Sequence, residues 1–204
     1  MKVEFLFDFG SPNAYLCHRV IPEIERRTGV TVAYVPILLG GIFKATGNRS
    51  PVEVYAGVEN KNKYDALETE RFCAEHGITD FSFNPFFPIN TLVLMRGAIA
   101  ARKLGVFEPY VDAVYRYMWS DPRNLNDPSV IGASLTEAGL DAAALIAKSQ
   151  DPEVKQELVQ ATQEAVERGA FGSPTFYVDD EMYFGKDRLH MVVAEIEKRK
   201  AETA

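Results

Sequence analysis

Ser11 is the residue with the clearest chemical potential in this chain. It stands in the turn Asp8-Phe9-Gly10-Ser11-Pro12, between a short apolar run and a helix-like stretch. Serine is a favoured helix N-cap, and proline is a favoured first helical residue. The hydroxyl therefore lies at the positive end of a helix, beside backbone N–H groups that no helical carbonyl satisfies. Such a position suits an anion. The ordinary reading of Ser11 is a cap and nothing more. A second group sits near the far end of the chain, in Phe171-Gly172-Ser173-Pro174-Thr175, just ahead of a predicted strand. Proline is tolerated where a strand begins. About 5% of X–Pro bonds in folded proteins are cis. A cis bond here would present the Ser173 N–H and C=O at a sheet edge; an ordinary strand entry is the alternative.

Other chemistries find little support. The two cysteines, Cys17 and Cys73, are far apart and form no CxxC, so a disulfide framework is not expected and a reducing cytoplasm fits. The histidines, His18, His76 and His190, lack metal-ligand spacing. A net charge of −7 with no basic cluster argues against a nucleic-acid partner. No apolar run is long enough to span a bilayer, and MKVEFLFDFG lacks the features of a signal peptide.

The elements that must position these groups follow from the pattern. Val3, Phe5 and Phe7 share one face of a strand, with Glu4 and Leu6 on the other. Pro12 to Thr28 carries Leu16, Val20 and Ile24 at helical spacing and ends at Gly29. Val30 to Pro36 is a second strand, and the helical crossover predicts a parallel pair. A long helical middle follows. Leu38 to Lys44 is helix-prone, and Thr46 to Pro51 is a loop. Val52 to Glu75 reads as helix, with Tyr55, Tyr64, Leu67 and Phe72 as core contacts. FSFNPFFP breaks the pattern. Asn90–Leu104, Val106–Ser120, Pro128–Ala138 and Asp141–Ala147 are helices again. Asp151, as cap, opens a helix that runs to about Arg168. Pro174–Val178 and Glu181–Phe184 form a hairpin around Asp179-Asp180, and Lys186–Lys200 is the last helix. With 204 residues, 47% of them hydrophobic, one interrupted α/β core is the simplest architecture. The expected division is residues 1–36 with 150–204 as the core, and 37–149 as a helical insertion.

A β-α-β and β-β-α core, a reactive group at the first helix N-terminus and a proline opening the third strand resemble the thioredoxin-like fold. The insertion resembles the disulfide-oxidoreductase branch of that fold. Redox members start the helix with Cys-x-x-Cys. Here the four residues are Ser11-Pro12-Asn13-Ala14, so dithiol exchange at this site is excluded chemically. With serine in the first position, the chain resembles the 2-hydroxychromene-2-carboxylate isomerases and the related kappa-class glutathione transferases. The segments FDFGSPNAYL, GNRSP, NPFFPINTLVLMR and RGAFGSPTFYVDDEMYFGKDRL carry the likeness across nearly the whole chain. The third residue of the SPNA segment is commonly aromatic in relatives and is Asn13 here.

The resemblance implies a glutathione-dependent cis–trans isomerase acting on a small aromatic carboxylate, as a cytoplasmic homodimer. A free thiol has a pKa of about 8.5 and is mostly protonated at neutral pH. Ser11 would hydrogen-bond the thiolate, aided by the helix field. The resemblance also implies that Ser173, before a cis Pro174, pairs its backbone with the cysteinyl part. Asn48 and Lys61 (or its rival Lys63) would hold a carboxylate. The N–H groups of Lys186 and Asp187 would take the γ-glutamyl carboxylate, and Asp187 its ammonium. Asn90 would polarise the substrate, with a helix cap as its alternative. Arg96 or Arg49 would pair with the substrate's acid group. Two other readings stay open: a kappa-like transferase and a non-catalytic thioredoxin-like binding module.

Overall fold

The computed structural model describes residues 1–203. In chain order the elements are β1 (Val3–Phe7), α1 (Pro12–Thr28), β2 (Val32–Pro36), α2 (Leu39–Thr46), α3 (Pro51–Val54), α4 (Glu59–Glu75), α5 (Leu92–Lys103) and α6 (Phe107–Trp119). After them come α7 (Pro128–Glu137), α8 (Ala142–Ser149), α9 (Pro152–Glu167), β3 (Thr175–Val178), β4 (Glu181–Phe184) and α10 (Leu189–Thr203), the last entered through a 3₁₀ turn at Lys186–Arg188. This is a thioredoxin-like fold with a mixed four-stranded sheet in the order β2-β1-β3-β4. Among the described residues no helix is long and apolar enough to cross a membrane.

The β1 strand sits at the centre of this order for a visible reason. All five of its residues are buried, so both faces are covered. Phe5 stacks on Phe176 at 4.9 Å and meets Tyr34 edge-on at 5.0 Å. Leu6 joins Ile37, Ile42, Ala165, Ala170 and Tyr177 on the opposite face. Each fully buried phenylalanine contributes about 1.5–3 kcal/mol. Glu4 is buried too, held by Lys2 at 2.7 Å and Arg168 at 2.9 Å. The parallel register with β2 pairs Val3 with Val32 and Phe7 with Pro36; β3 runs antiparallel, pairing Leu6 with Thr175. As a result the carboxyl end of β1, which leads into Ser11, lies beside the start of β3, which follows Pro174.

The predicted elements are present, with corrections in the middle. Val52–Glu75 is not one helix: α3 ends at Val54, and α4 begins at Glu59. Of its four expected core residues only Phe72 is buried; Tyr55, Tyr64 and Leu67 are exposed. The sequence there is charged on most sides, so the apolar residues define no single inward stripe. Asp151 stands at the N-cap of α9 but makes no capping bond; its carboxylate pairs with Lys148 at 2.7 Å. At the end of α1, Gly29 adopts φ 68° and returns its N–H to Glu25 O at 2.7 Å, as the sequence predicts.

Candidate active site

Ser11 caps α1. Its backbone is extended, at φ −97° and ψ 113°, and its Oγ accepts the Ala14 N–H at 3.2 Å. The same hydroxyl donates to the carbonyl of Ser173 at 2.9 Å. The Ser173–Pro174 bond is cis, as is Phe87–Pro88, which the sequence did not signal. Two segments 162 residues apart are thus joined through one hydroxyl. Pro12 has no N–H, and the Asn13 N–H makes no hydrogen bond among the described residues. The Ser173 N–H is likewise without an acceptor among the described residues. A donor-rich spot at a helix N-terminus favours an anion.

Asp8 organises the turn. It is fully buried, and its Oδ1 accepts the Gly10 N–H at 2.8 Å. Its Oδ2 accepts the Leu39 N–H at 2.8 Å and the Thr91 hydroxyl at 3.0 Å. Burial pushes the Asp8 carboxyl above the usual carboxylate range, while the hydrogen bonds from Leu39, Gly10 and Thr91 pull it back. Gly10 packs so closely that an added Cβ would come within 3.2 Å of Thr91 Cγ2. Trp119, fully buried, donates its indole N–H to Phe9 O at 2.7 Å, and the Phe9 N–H points at Met95 Sδ at 3.4 Å. Helices α5 and α6 therefore clamp the turn that carries Ser11.

The remaining sequence candidates fall into two groups. Asn48 reaches the same neighbourhood: its Nδ2 donates to Phe171 O at 2.8 Å, two residues before Ser173. Lys186 and Asp187 begin the turn into α10, directly after Gly185, whose N–H binds Pro174 O at 3.0 Å. Neither the Lys186 nor the Asp187 N–H has an acceptor among the described residues. The Lys186 side chain is engaged elsewhere. It is buried, pairs with Glu68 at 2.8 Å and lies over the Phe72 ring at 5.0 Å. The Asp187 carboxylate is exposed and meets Arg188 at 2.6 Å. Lys61 and Lys63 pair within α4, with Asp65 and Glu59 respectively. The Asn90 carboxamide accepts the Leu92 N–H at 3.1 Å, a cap-like contact at the start of α5. Arg96, on the same helix, has a buried Nε with no hydrogen-bond partner among the described residues.

Cys17 is buried inside α1, and burial pushes its thiol well above the ordinary value. It gives the site no nucleophile. Sequence reasoning missed Asp8, Thr91, Met95 and Trp119 as parts of the site. The one available signal was Asp8, a carboxylate directly after the largely apolar β1 strand and three residues before Ser11.

Compared with known proteins, residues 2–197 match the family model described as DSBA-like thioredoxin domain. The 2-hydroxychromene-2-carboxylate isomerase of Sphingobium xenophagum is 33% identical over 190 residues, covering 92% of this chain and 93% of that protein. The chain belongs to the DSBA-like thioredoxin family, among its 2-hydroxychromene-2-carboxylate isomerases. A solved 2-hydroxychromene-2-carboxylate isomerase superposes with a TM-score of 0.84 at 25% identity, over 100% of both chains. Glutathione S-transferase kappa 1 of Homo sapiens is 25% identical over 207 residues, covering 93% of this chain and 88% of that protein. The serine at the head of α1 is thus set in an isomerase-family chain, where redox members of the fold carry a cysteine.

Proposed function

We propose that this protein is a glutathione-dependent cis–trans isomerase that interconverts 2-hydroxychromene-2-carboxylate and trans-o-hydroxybenzylidenepyruvate, with Ser11 stabilising the glutathione thiolate. The observation that carries the reading is the Ser11 hydroxyl at the N-terminus of α1, 2.9 Å from the carbonyl of Ser173 and with no cysteine in Ser11-Pro12-Asn13-Ala14. Glutathione would supply the sulfur nucleophile that adds reversibly to a conjugated double bond, so that rotation occurs about a transient single bond.

The residues fit such a ligand. A tripeptide offers amide, carboxylate and ammonium groups. The open Ser173 N–H, the Ser173 carbonyl and the open N–H groups of Lys186 and Asp187 complement these. Asn48, anchored on Phe171 O, and Lys61 would hold the carboxylate of the far end, and the Asp187 carboxylate the ammonium. At rest the Ser11 proton is spent on Ser173 O. An amide N–H arriving at that carbonyl would free the hydroxyl to turn toward the sulfur. Asn90 would polarise the substrate. Arg96, with its unpartnered buried Nε, suits the substrate carboxylate better than the exposed Arg49. The apolar side chains of Val52, Val54, Tyr55 and Val58 are exposed, consistent with a homodimer.

The kappa-class relative supports a second reading, a transferase that keeps its product conjugated. Incubation with glutathione and the chromene carboxylate separates the two. Isomer formed with no glutathione consumed supports the isomerase. A stoichiometric conjugate supports the transferase, and neither product overturns both.

A further inference from the structure

Four separate segments meet at the Ser11 turn, and one residue touches all of them. Asp8 donates its backbone N–H to Ser173 Oγ at 3.3 Å, and its carbonyl accepts the Ser11 N–H at 3.0 Å. Its carboxylate holds Gly10, the first residue of α2 through the Leu39 N–H, and Thr91, which stands just ahead of α5. No basic side chain is bonded to it among the described residues, although it is fully buried. Burial of a carboxylate with no cation is unfavourable, and hydrophobic replacements of a purely structural polar cluster are often tolerated. The Asp8 carboxylate lies where the Ser11 turn, the Ser173 segment, α2 and the start of α5 converge. It accepts three directed hydrogen bonds and so fixes the angles between the elements that supply them.

We propose that Asp8 is the positioning residue of the thiol site, its single carboxylate locking the Ser11 turn to the first residue of α2 and to Thr91, just ahead of α5, so that the Ser11 hydroxyl and the open Asn13 N–H at the head of α1 face one sulfur position. The inference rests on the thiol-site reading of Ser11 given above. Asp8 touches neither sulfur nor substrate; it acts through Gly10, Ser11 and Thr91.

The test is the pH titration of the thiolate absorbance of bound glutathione in the whole protein, for the wild type, Asp8→Asn, Thr91→Val and Thr91→Ser. Asparagine keeps the shape but turns one acceptor oxygen into a donor facing an N–H. Positioning is expected to raise the apparent thiol pKa in Asp8→Asn, lowering the thiolate fraction at neutral pH roughly three- to tenfold. Thr91→Val should shift it the same way by less, and Thr91→Ser should restore it. A purely structural role would lower the melting temperature and leave the pKa of the folded, liganded protein where it was; that result overturns the proposal. A fall in pKa also overturns it, because the carboxylate would then act by its charge. If Asp8→Asn does not fold, the Thr91 pair decides by the same criteria. Absence of the thiolate band from the wild type overturns the reading of the site and this role with it, and is distinguishable from an unchanged variant.

Discussion

The hydroxyl of Ser11 donates to the carbonyl of Ser173 at 2.9 Å, across the gap between the first helix and the cis proline. In the same place the hydroxyl accepts the Ala14 N–H, so its single proton and one lone pair are both committed. A serine used only as a cap needs just the second of these bonds. The first joins the two halves of the thioredoxin-like core at the point where an anion would sit.

The clamp on the turn should be measurable as stability. Trp119→Phe removes the donor to Phe9 O and leaves a buried carbonyl unsatisfied, in addition to a small void. The combined cost is about 2–4 kcal/mol. A fall in Tm of roughly 5–10 °C is expected in a scanning calorimeter. An unchanged Tm would mean that the indole hydrogen bond adds nothing.

Lys186 separates a structural from a binding role. Its ammonium is paired with Glu68, whose side chain is 37% exposed, so solvent screens the pair. Lys186→Met retains the packing on Phe72 and should cost about 1 kcal/mol. Glutathione affinity, measured by titration calorimetry, is expected to weaken less than about threefold, the equivalent of under 1 kcal/mol, since the contact proposed for this residue is made by its backbone N–H and not by its ammonium. A tenfold loss of affinity at unchanged stability would mean that the ammonium itself holds the ligand.

Asp8 gives stability a sign with pH. Its folded-state carboxyl is raised by burial, so the folded protein binds more protons than the unfolded chain between the unfolded value, about 3.9, and the raised folded one. Stability contributed by this group is therefore greatest below the unfolded value and is lost as pH rises through the folded one. The neighbouring titratable group is the Tyr115 phenol, itself pushed up by burial and neutral throughout this range. Asp8→Asn removes the dependence. The Tm difference between wild type and Asp8→Asn should grow in favour of the wild type on going from neutral pH toward pH 4. A difference that stays flat would show that the Asp8 carboxyl is not raised.

Much of this was legible in the sequence, and the parts that were not share a cause. Local rules expose Ser11, Pro12 and Gly29, because capping chemistry is written in neighbouring residues. The β1 run and the hairpin at Asp179 follow from strand patterning and turn residues. The α3–α4 break was hidden, because charged residues mask the period there and Tyr55, Tyr64 and Leu67 turn outward. The bonds from Asp8 to Leu39 and Thr91, and from Trp119 to Phe9, span 31, 83 and 110 residues. No window along the chain contains both partners, so tertiary packing alone brings them together. Lys186 is similar: its sequence setting beside Asp187 suggests a ligand contact, while its partner Glu68 lies 118 residues away.

The most direct measurement is the ultraviolet absorbance of glutathione thiolate bound to the wild type and to Ser11→Ala at neutral pH. Alanine removes the donor to Ser173 O and leaves the helix N-terminus in place. Glutathione should still bind to Ser11→Ala, with the thiol pKa raised by about one unit or more, which is about 1.4 kcal/mol of lost anion stabilisation, and isomerisation should fall at least tenfold. An undiminished thiolate signal and undiminished isomerisation in Ser11→Ala would contradict the role assigned to Ser11.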